Sequence, residues 1–214
     1  MELRELSLAV QKGSAKKVKE FVKVALEEKM EPADILNNGL IAAMTEIGEK
    51  FKLGQIYVPE MLIAAKAMQA GMKILEPALK EEGVEPVGKA VIGTVKGDLH
   101  DIGKNLVKMM MEGVGIEMVD LGVDVKEEDF FNKAEEIGAD IICLSALLTT
   151  TMPSIESTIE LFKEKGARDK YIFMIGGAPV SEEYAKKVDA NYYTPDAAAA
   201  ADVAKSALMT REEA

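Results

Sequence analysis

The chain has 214 residues, of which 48% are hydrophobic and 29% charged, as in an ordinary soluble globular protein of one or two domains. Its net charge of −11 argues against binding to nucleic acid or to an anionic membrane, because both need a basic face. The single cysteine, Cys143, permits no internal disulfide, and no apolar run reaches the roughly 20 residues of a membrane span. Residues 1–5 lack the apolar segment of a signal peptide, so we expect a cytoplasmic protein.

The first 85 residues predict a helical bundle. Apolar residues recur at helical spacing in four stretches, with Ser14 as a candidate N-cap of the second and Pro32 and Pro59 in the first turns of the third and fourth. Four helices with short connections predict an antiparallel four-helix bundle. The acidic segment 81–86 contains Gly and Pro and lacks periodicity, so we place a domain boundary there, between a helical domain at 1–86 and a second domain at 87–214.

From Lys89 onward, short β-branched runs alternate with helical patterns. The helices are expected near 102–112, 127–137, 154–165, 182–187 and 195–208, and the strands at 90–95, 116–119, 141–144, 171–175 and 190–193. The alternation predicts a five-stranded parallel doubly wound sheet of the flavodoxin or Rossmann type.

His100, the only histidine, lies in a loop bounded by Gly97 and Gly103. The carboxylate of Asp98 can accept the Nδ1 proton of the imidazole and leave Nε2 free to bind a metal. Taken alone, an Asp-x-His pair is more often a turn or cap with a hydrogen-bonded pair, so its place in the fold has to decide between the two interpretations.

The predicted sheet places three unusual loops at one edge. In the flavodoxin-like strand order, ligands bind where the order reverses, between the first and third strands and outside their carboxyl ends. The His100 loop follows the first strand, residues 145–151 follow the third, and Gly176-Gly177 follow the fourth. These loops therefore predict a ligand site.

The residue types at this edge limit which kinds of ligand can bind there. One His and one Cys cannot supply a His/Cys zinc set, although carboxylates could contribute, whereas a single protein ligand suits a metal held in a macrocycle. Haem attachment by Cys-x-x-Cys-His is excluded, and the glycine-rich phosphate loops are lacking. Ser145 stands where a phosphoacceptor response regulator would need aspartate.

The spacing of these motifs resembles the cobalamin-binding fingerprint of methionine synthase and the B12-dependent mutases. Asp98-x-His100-x-x-Gly103 is followed after 41 residues by Ser145-x-Leu147 and after 28 more by Gly176-Gly177. Segment 93–105 is most similar to the methyltransferase branch, and segment 48–60 resembles the cap motif of the helical bundle that precedes the cobalamin domain of methionine synthase. The arrangement is similar to the stand-alone corrinoid proteins of methylamine, methanol, glycine betaine and methoxyaromatic methyltransferase systems.

The resemblance implies a role for each matching residue. His100 would be the lower axial ligand of cobalt in place of dimethylbenzimidazole, Asp98 would accept the other imidazole proton, and Thr151 would continue that relay, where the related enzyme has serine. Phe51 and Val58 match apolar cap residues over the upper cobalt face. The remaining expected corrinoid contacts come from the His100 loop and from the region of the displaced nucleotide tail: Gly97, Leu99, Asp101, Ile102, Gly103, Ser145, Leu147, Thr149, Gly176, Gly177 and Ala197.

The implied function is that of a methyl carrier that is not catalytic alone. Its cofactor would be cobalamin or a related corrinoid, cycling between methylcob(III)alamin and cob(I)alamin. Its partners would be a substrate-specific methyltransferase, an acceptor methyltransferase using coenzyme M or tetrahydrofolate, and a reductive activation protein.

Three alternatives remain open at this point. A cobalamin-dependent sensor shares both domains but usually adds a DNA-binding head, and the cobalamin subunit of a mutase lacks the cap that segment 51–59 suggests. The third alternative is a two-domain protein without a cofactor.

Overall fold

A computed structural model describes residues 2–212 of the chain, with only the backbone described for Glu212. The described chain divides into two compact units. One unit extends to Pro86 and includes residues 113–115, and the other comprises Val87–Glu112 and the chain from Ile116 onward. Among the helices described, none combines the length and apolar character required to span a bilayer.

The first unit is helical. Its elements are α1 (Leu3–Gln11), α2 (Ala15–Glu27), the single turn α3 (Pro32–Asp34), a π-helical segment (Ile35–Ile41), α4 (Ala42–Lys52) and α5 (Val58–Glu81). Because α3, the π-helical segment and α4 are continuous, they form the predicted third helix, but its middle is wound more widely than an α-helix. Apolar side chains at helical spacing, including Leu6, Val22, Leu40 and Leu75, are fully buried and form the core of this unit.

The predicted N-cap of α2 is correct in position but not in its hydrogen bonding. Ser14 occupies the N-cap position of α2, but its hydroxyl accepts no hydrogen bond from the helix. Gly13, in a left-handed conformation, carries the chain from α1 into α2.

The second unit alternates strands and helices. The strands are β1 (Gly88–Thr94), β2 (Ile116–Asp120), β3 (Ile141–Ser145), β4 (Ile172–Gly176) and β5 (Tyr192–Tyr193). The helices are α6 (Ile102–Gly113), α7 (Glu127–Ile137), α8 (Met152–Glu164), α9 (Glu182–Val188) and α10 (Ala197–Glu212). All strand pairs are parallel in the order β2-β1-β3-β4-β5, which confirms the predicted doubly wound sheet of the flavodoxin type.

The centre of the sheet is buried on both faces. Val91, Ile142 and Phe173 are lateral partners on β1, β3 and β4, and all three are inaccessible to solvent. On one face, Phe162 of α8 packs edge to face against Tyr171 and Phe173. The packed sheet therefore gives the loops at its carboxyl edge a fixed base.

Candidate functional site

Strand register brings the three predicted loops side by side. Thr94, Ser145 and Gly176 are lateral partners at the carboxyl ends of β1, β3 and β4. The backbone hydrogen bonds between the strands continue one residue further, because the N–H of Val95 donates to the carbonyl of Ser145 and the N–H of Ala146 donates to the carbonyl of Gly176. The His100 loop, residues 145–151 and Gly176-Gly177 therefore start from adjacent points at the switch of strand order.

Asp98 is the hydrogen-bonding centre of this edge, and its side chain is completely buried. Its Oδ1 accepts from the ring Nδ1 of His100 at 2.7 Å and from the backbone N–H of His100 at 3.0 Å. Its Oδ2 accepts from the Thr151 hydroxyl at 2.7 Å and from the N–H groups of Leu147 and Leu148 at 2.7 and 3.3 Å. One carboxylate thus joins the loop after β1 to the loop after β3.

The surroundings of Asp98 fix its charge. Burial by itself would raise the pKa of this carboxyl, but the hydrogen bonds from Thr151, from the N–H groups of His100 and Leu147 and from the imidazole outweigh it, so the pKa lies far below its usual range. An ionised carboxylate can only accept hydrogen bonds. The proton between Oδ1 and Nδ1 therefore belongs to His100, so Nδ1 is the donor of this hydrogen bond and Nε2 is the ring nitrogen left for another partner.

The imidazole of His100 is accessible to solvent, and its Nε2 is the nitrogen that does not contact Asp98. Its side chain is 51% exposed, and Nε2 has no hydrogen-bond partner within residues 2–212. In the same part of the chain, no group of three or more His, Cys, Asp or Glu side chains is placed to hold a metal ion. The donor set that the site offers is one oriented imidazole nitrogen.

Apolar side chains beside His100 are unusually exposed. Leu99 is 72% and Ile102 is 77% exposed, and Leu147 and Leu148 on the adjacent loop are each more than 40% exposed. Large apolar groups clustered around one polar atom typically mark a binding surface. A flat, largely apolar macrocycle around a metal fits both the single nitrogen and this surface.

The glycines of the site have two different explanations. Gly177 has φ +133°, and a Cβ there would lie 1.8 Å from the carbonyl oxygen of Ala146, so the chain itself requires glycine. Gly103 and Gly176 have ordinary φ angles, and a Cβ would meet nothing within 4 Å at Gly103 and only the Thr194 carbonyl oxygen at 3.6 Å at Gly176. Since no protein atom explains these two glycines, they fit the close approach of a ligand.

The remaining candidate residues of the second unit differ in their exposure and in their contacts. Ser145 is half-buried at the end of β3, Thr149 is exposed, and neither hydroxyl has a partner within the described chain. Asp101 precedes α6 and binds the side-chain amide of Asn105. Ala197 begins α10 beyond β5 and is buried, which leaves its methyl group little surface for a ligand.

Two further candidates, Phe51 and Val58, belong to the helical unit. Phe51 lies in the last turn of α4, and Val58 is the first residue of α5. Both side chains are half-buried.

Sequence analysis missed the contacts that β2 and the loop after it make with α6 and with the His100 loop. Lys104 is buried on α6, and its Nζ lies 2.6 and 2.7 Å from the carboxylate oxygens of Asp120 at the end of β2. Asp124, in the next loop, accepts a hydrogen bond from the N–H of Gly97 at 2.7 Å. The flavodoxin-like order places β2 beside β1, so the order itself was the signal that Asp120 and Asp124 lie near the His100 loop.

Comparison with protein families identifies the family of the chain. A B12 binding domain family matches residues 88–204, and a second B12 binding domain family matches residues 2–76. The chain belongs to the B12-binding corrinoid proteins. The cofactor of this family is a corrinoid, in agreement with the chemistry that the single imidazole and its apolar surroundings favour.

Individual relatives support the assignment. The chain is 40% identical to a corrinoid protein of Desulfitobacterium hafniense, over 96% of this chain and 97% of the relative. It is 42% identical to dimethylamine corrinoid protein 2 of Methanosarcina acetivorans, over 97% and 96% of the two chains. In the methanol:cobalamin methyltransferase complex of Methanosarcina barkeri, one chain is 27% identical with a TM-score of 0.85, over 95% of this chain and 78% of that one.

The low pKa of Asp98 predicts how acid affects this corrinoid protein. A carboxylate with a lowered pKa stabilises the fold fully above its unfolded pKa of about 3.9, and that stabilisation disappears as pH falls toward the folded pKa. At pH 7, Asp98→Asn is expected to lower the free energy of unfolding by roughly 2–4 kcal/mol, because each hydrogen bond to a charged group contributes about 1.5–3 kcal/mol.

Urea unfolding of the cofactor-free chain between about pH 7 and pH 3 measures this effect. The difference between the two proteins should be constant near neutrality and shrink below about pH 4. Asp101→Asn, which alters an exposed carboxylate in the same loop, is the matched control and should change stability little. A difference that stays constant down to pH 3 would contradict the assignment.

Proposed function

We propose that this corrinoid protein carries a methyl group on the cobalt of its cofactor, receiving it through one methyltransferase and delivering it through another. The observation that carries the proposal is the Asp98–His100 pair, which presents a single unpartnered imidazole nitrogen at the switch point of the sheet. A bound corrinoid supplies a cobalt centre able to accept and release a methyl group.

His100 is proposed as the protein ligand of that cobalt through Nε2. The hydrogen bond from Nδ1 to Asp98 orients the ring and keeps the proton on the nitrogen that faces away from the ligand. Because Asp98 is held in turn by Thr151 and two backbone N–H groups, the ring does not have to be reoriented when the ligand bond forms. In the proposed function, Thr151 acts on the imidazole only through Asp98.

The nucleotide tail of the corrinoid is proposed to enter along the ends of β3 and β4. The free hydroxyls of Ser145 and Thr149 offer polar contacts, and the open space at Gly176 admits a group close to the backbone. The contact at Gly177 keeps the two loops close together, which shapes this entrance. Leu147, Leu99 and Ile102 provide apolar surface next to the imidazole, and Gly97 and Asp101 complete the loop that carries it.

The partners are inferred from the relatives. The names of the relatives favour a methylated amine as the methyl source, and the methanol:cobalamin complex shows a protein of this fold together with a methyltransferase. We propose a substrate-specific methyltransferase as the donor, a coenzyme M or tetrahydrofolate methyltransferase as the acceptor, and a reductive activation protein. This chain alone would be a carrier.

Replacing His100 tests the ligand assignment. The chain is reconstituted with cobalamin, reduced to cobalt(II) and examined by electron paramagnetic resonance. Because the chain has one histidine, growth with ¹⁵N-histidine labels that ring alone. The nitrogen splitting should change from triplets to doublets in the natural sequence and disappear in His100→Ala. Triplets that persist after labelling would show dimethylbenzimidazole at cobalt and refute the assignment.

Gly103 allows a test in which stability and binding move in opposite directions. Gly103→Ala should raise the free energy of unfolding of the cofactor-free chain by up to about 1 kcal/mol, because alanine is the better helix former and its Cβ meets no protein atom. The same methyl group should weaken hydroxocobalamin binding, measured by absorbance titration. Unchanged affinity in Gly103→Ala would contradict a corrinoid at this position.

Phe51 and Val58 are proposed to shield the upper face of the cobalt. Both are half-buried at the junction of α4 and α5, next to Leu53 and Tyr57, which are 71% and 69% exposed. If Phe51 excludes solvent from the cofactor, Phe51→Ala should accelerate aerobic photolysis of bound methylcobalamin, followed by absorbance. Leu53→Ala is the neighbouring control, and an unchanged rate in Phe51→Ala would contradict the shielding role.

A further inference from the structure

The loop after β2 runs beside the start of the His100 loop. The N–H of Thr94 donates to the carbonyl of Gly122, and the N–H of Val125 donates to the carbonyl of Thr94, both at 3.0 Å. Val95 and Val125 form an isolated parallel bridge beyond the strands. Segment 121–125 is therefore fixed alongside the residues that lead into Gly97 and Asp98.

Asp124 makes two reciprocal contacts across this boundary. Its Oδ1 accepts from the N–H of Gly97 at 2.7 Å, and its own N–H donates to the carbonyl of Asp98 at 2.9 Å. The two contacts lie on either side of the peptide unit that joins Gly97 to Asp98. They restrict the backbone from which the buried carboxylate projects.

The conformation of Asp124 indicates that its side chain matters. Its φ of +53° is in the left-handed region, which glycine adopts freely and which among other residues favours Asn and Asp. A turn alone would be served as well by glycine. At Asp124 the left-handed backbone lets its N–H donate to the carbonyl of Asp98, while its carboxylate accepts from the N–H of Gly97. The side chain and the conformation therefore act together.

We propose that Asp124 is a positioning residue that holds the Gly97–Asp98 backbone so that the Asp98 carboxylate fixes the tautomer and orientation of His100. It acts through the backbone, and the group that completes the contact to Gly97 is an oxygen acceptor, whatever its charge. The functional consequence rests on the proposed role of His100 Nε2 as cobalt ligand, but the positioning itself can be tested without a corrinoid.

The single histidine makes this measurement direct. Proton–nitrogen correlation spectra of the ¹⁵N-histidine-labelled, cofactor-free chain report one imidazole and distinguish a proton on Nδ1 from one on Nε2. The natural chain should show the proton on Nδ1. Asp124→Asn keeps an oxygen acceptor and the left-handed tolerance and should give the same signals. Asp124→Gly keeps only the conformation and should shift the ring toward the mixture of tautomers seen in an unrestrained histidine.

Affinity for hydroxocobalamin gives the second readout. Asp124→Gly should weaken binding about fivefold, the factor that corresponds to the ~1 kcal/mol net contribution of one hydrogen bond, and Asp124→Asn should restore it. Asp189→Gly is the matched control, because Asp189 has φ +65° and carboxylate contacts with Lys163 and Arg168 but precedes β5, at the amino edge of the sheet. It should leave the His100 signals unchanged even if it lowers the melting temperature.

The outcomes separate the two claims. Asp124→Gly with natural His100 signals, or Asp124→Asn with signals as disturbed as those of Asp124→Gly, would overturn the positioning role. An Nδ1-protonated ring that responds to Asp124→Gly, in a chain whose cobalt(II) spectrum shows no histidine nitrogen, would uphold the positioning role and refute the proposed role of His100 as cobalt ligand.

Discussion

The burial of one ionised carboxylate organises the functional edge of this protein. Asp98 is removed from solvent, and a buried charge is unfavourable unless hydrogen bonds surround it. Five donors from the His100 loop and from residues 147–151 meet this requirement. Because the same bonds orient the imidazole, the geometry of the ligand nitrogen is a direct consequence of satisfying the carboxylate.

That arrangement depends on the register of the sheet. The donors on the loop after β3 reach Asp98 only because Thr94 and Ser145 are lateral partners. A parallel pair shifted by one residue would also turn the side chains of β3 to the opposite faces, so the close-packed interior on both sides of the sheet would have to be repacked. The fully buried Val91, Ile142 and Phe173 therefore contribute to the site although they lie at the middle of their strands.

The sequence was sufficient for the elements with strong periodicity or sharp boundaries. α7 begins and ends at the predicted residues 127 and 137, because acids open it and Gly138 closes it in the left-handed conformation. The π-helical turn at 35–41 was not predicted, since its apolar spacing is compatible with an ordinary α-helix. The hydroxyl of Ser14 does not cap α2, which shows that residue type at a cap position does not determine the side-chain rotamer.

The site was predictable to the extent that its residues are close in sequence or follow adjacent strands. Asp98 and His100 are two residues apart, so their hydrogen bond could be anticipated from local geometry. The Lys104–Asp120 pair and the contacts of Asp124 depend on how α6 and the loop after β2 pack against β1, and no spacing along the chain encodes these distances. Thr151 was assigned from a family resemblance, and its hydrogen bond to Asp98 gives that residue a physical role.

The cofactor-free chain already contains most of the order that a corrinoid requires. The imidazole, the carboxylate and both loops are joined by hydrogen bonds within the protein, so little conformational entropy is left to lose when the ligand binds. Beside the imidazole the chain leaves large apolar side chains exposed, at Leu99 and Ile102 above all, and covering that surface is favourable. Binding should therefore be driven largely by burial of these side chains beside a prearranged nitrogen, and it should stabilise the folded state by an amount that grows with the logarithm of the corrinoid concentration above Kd.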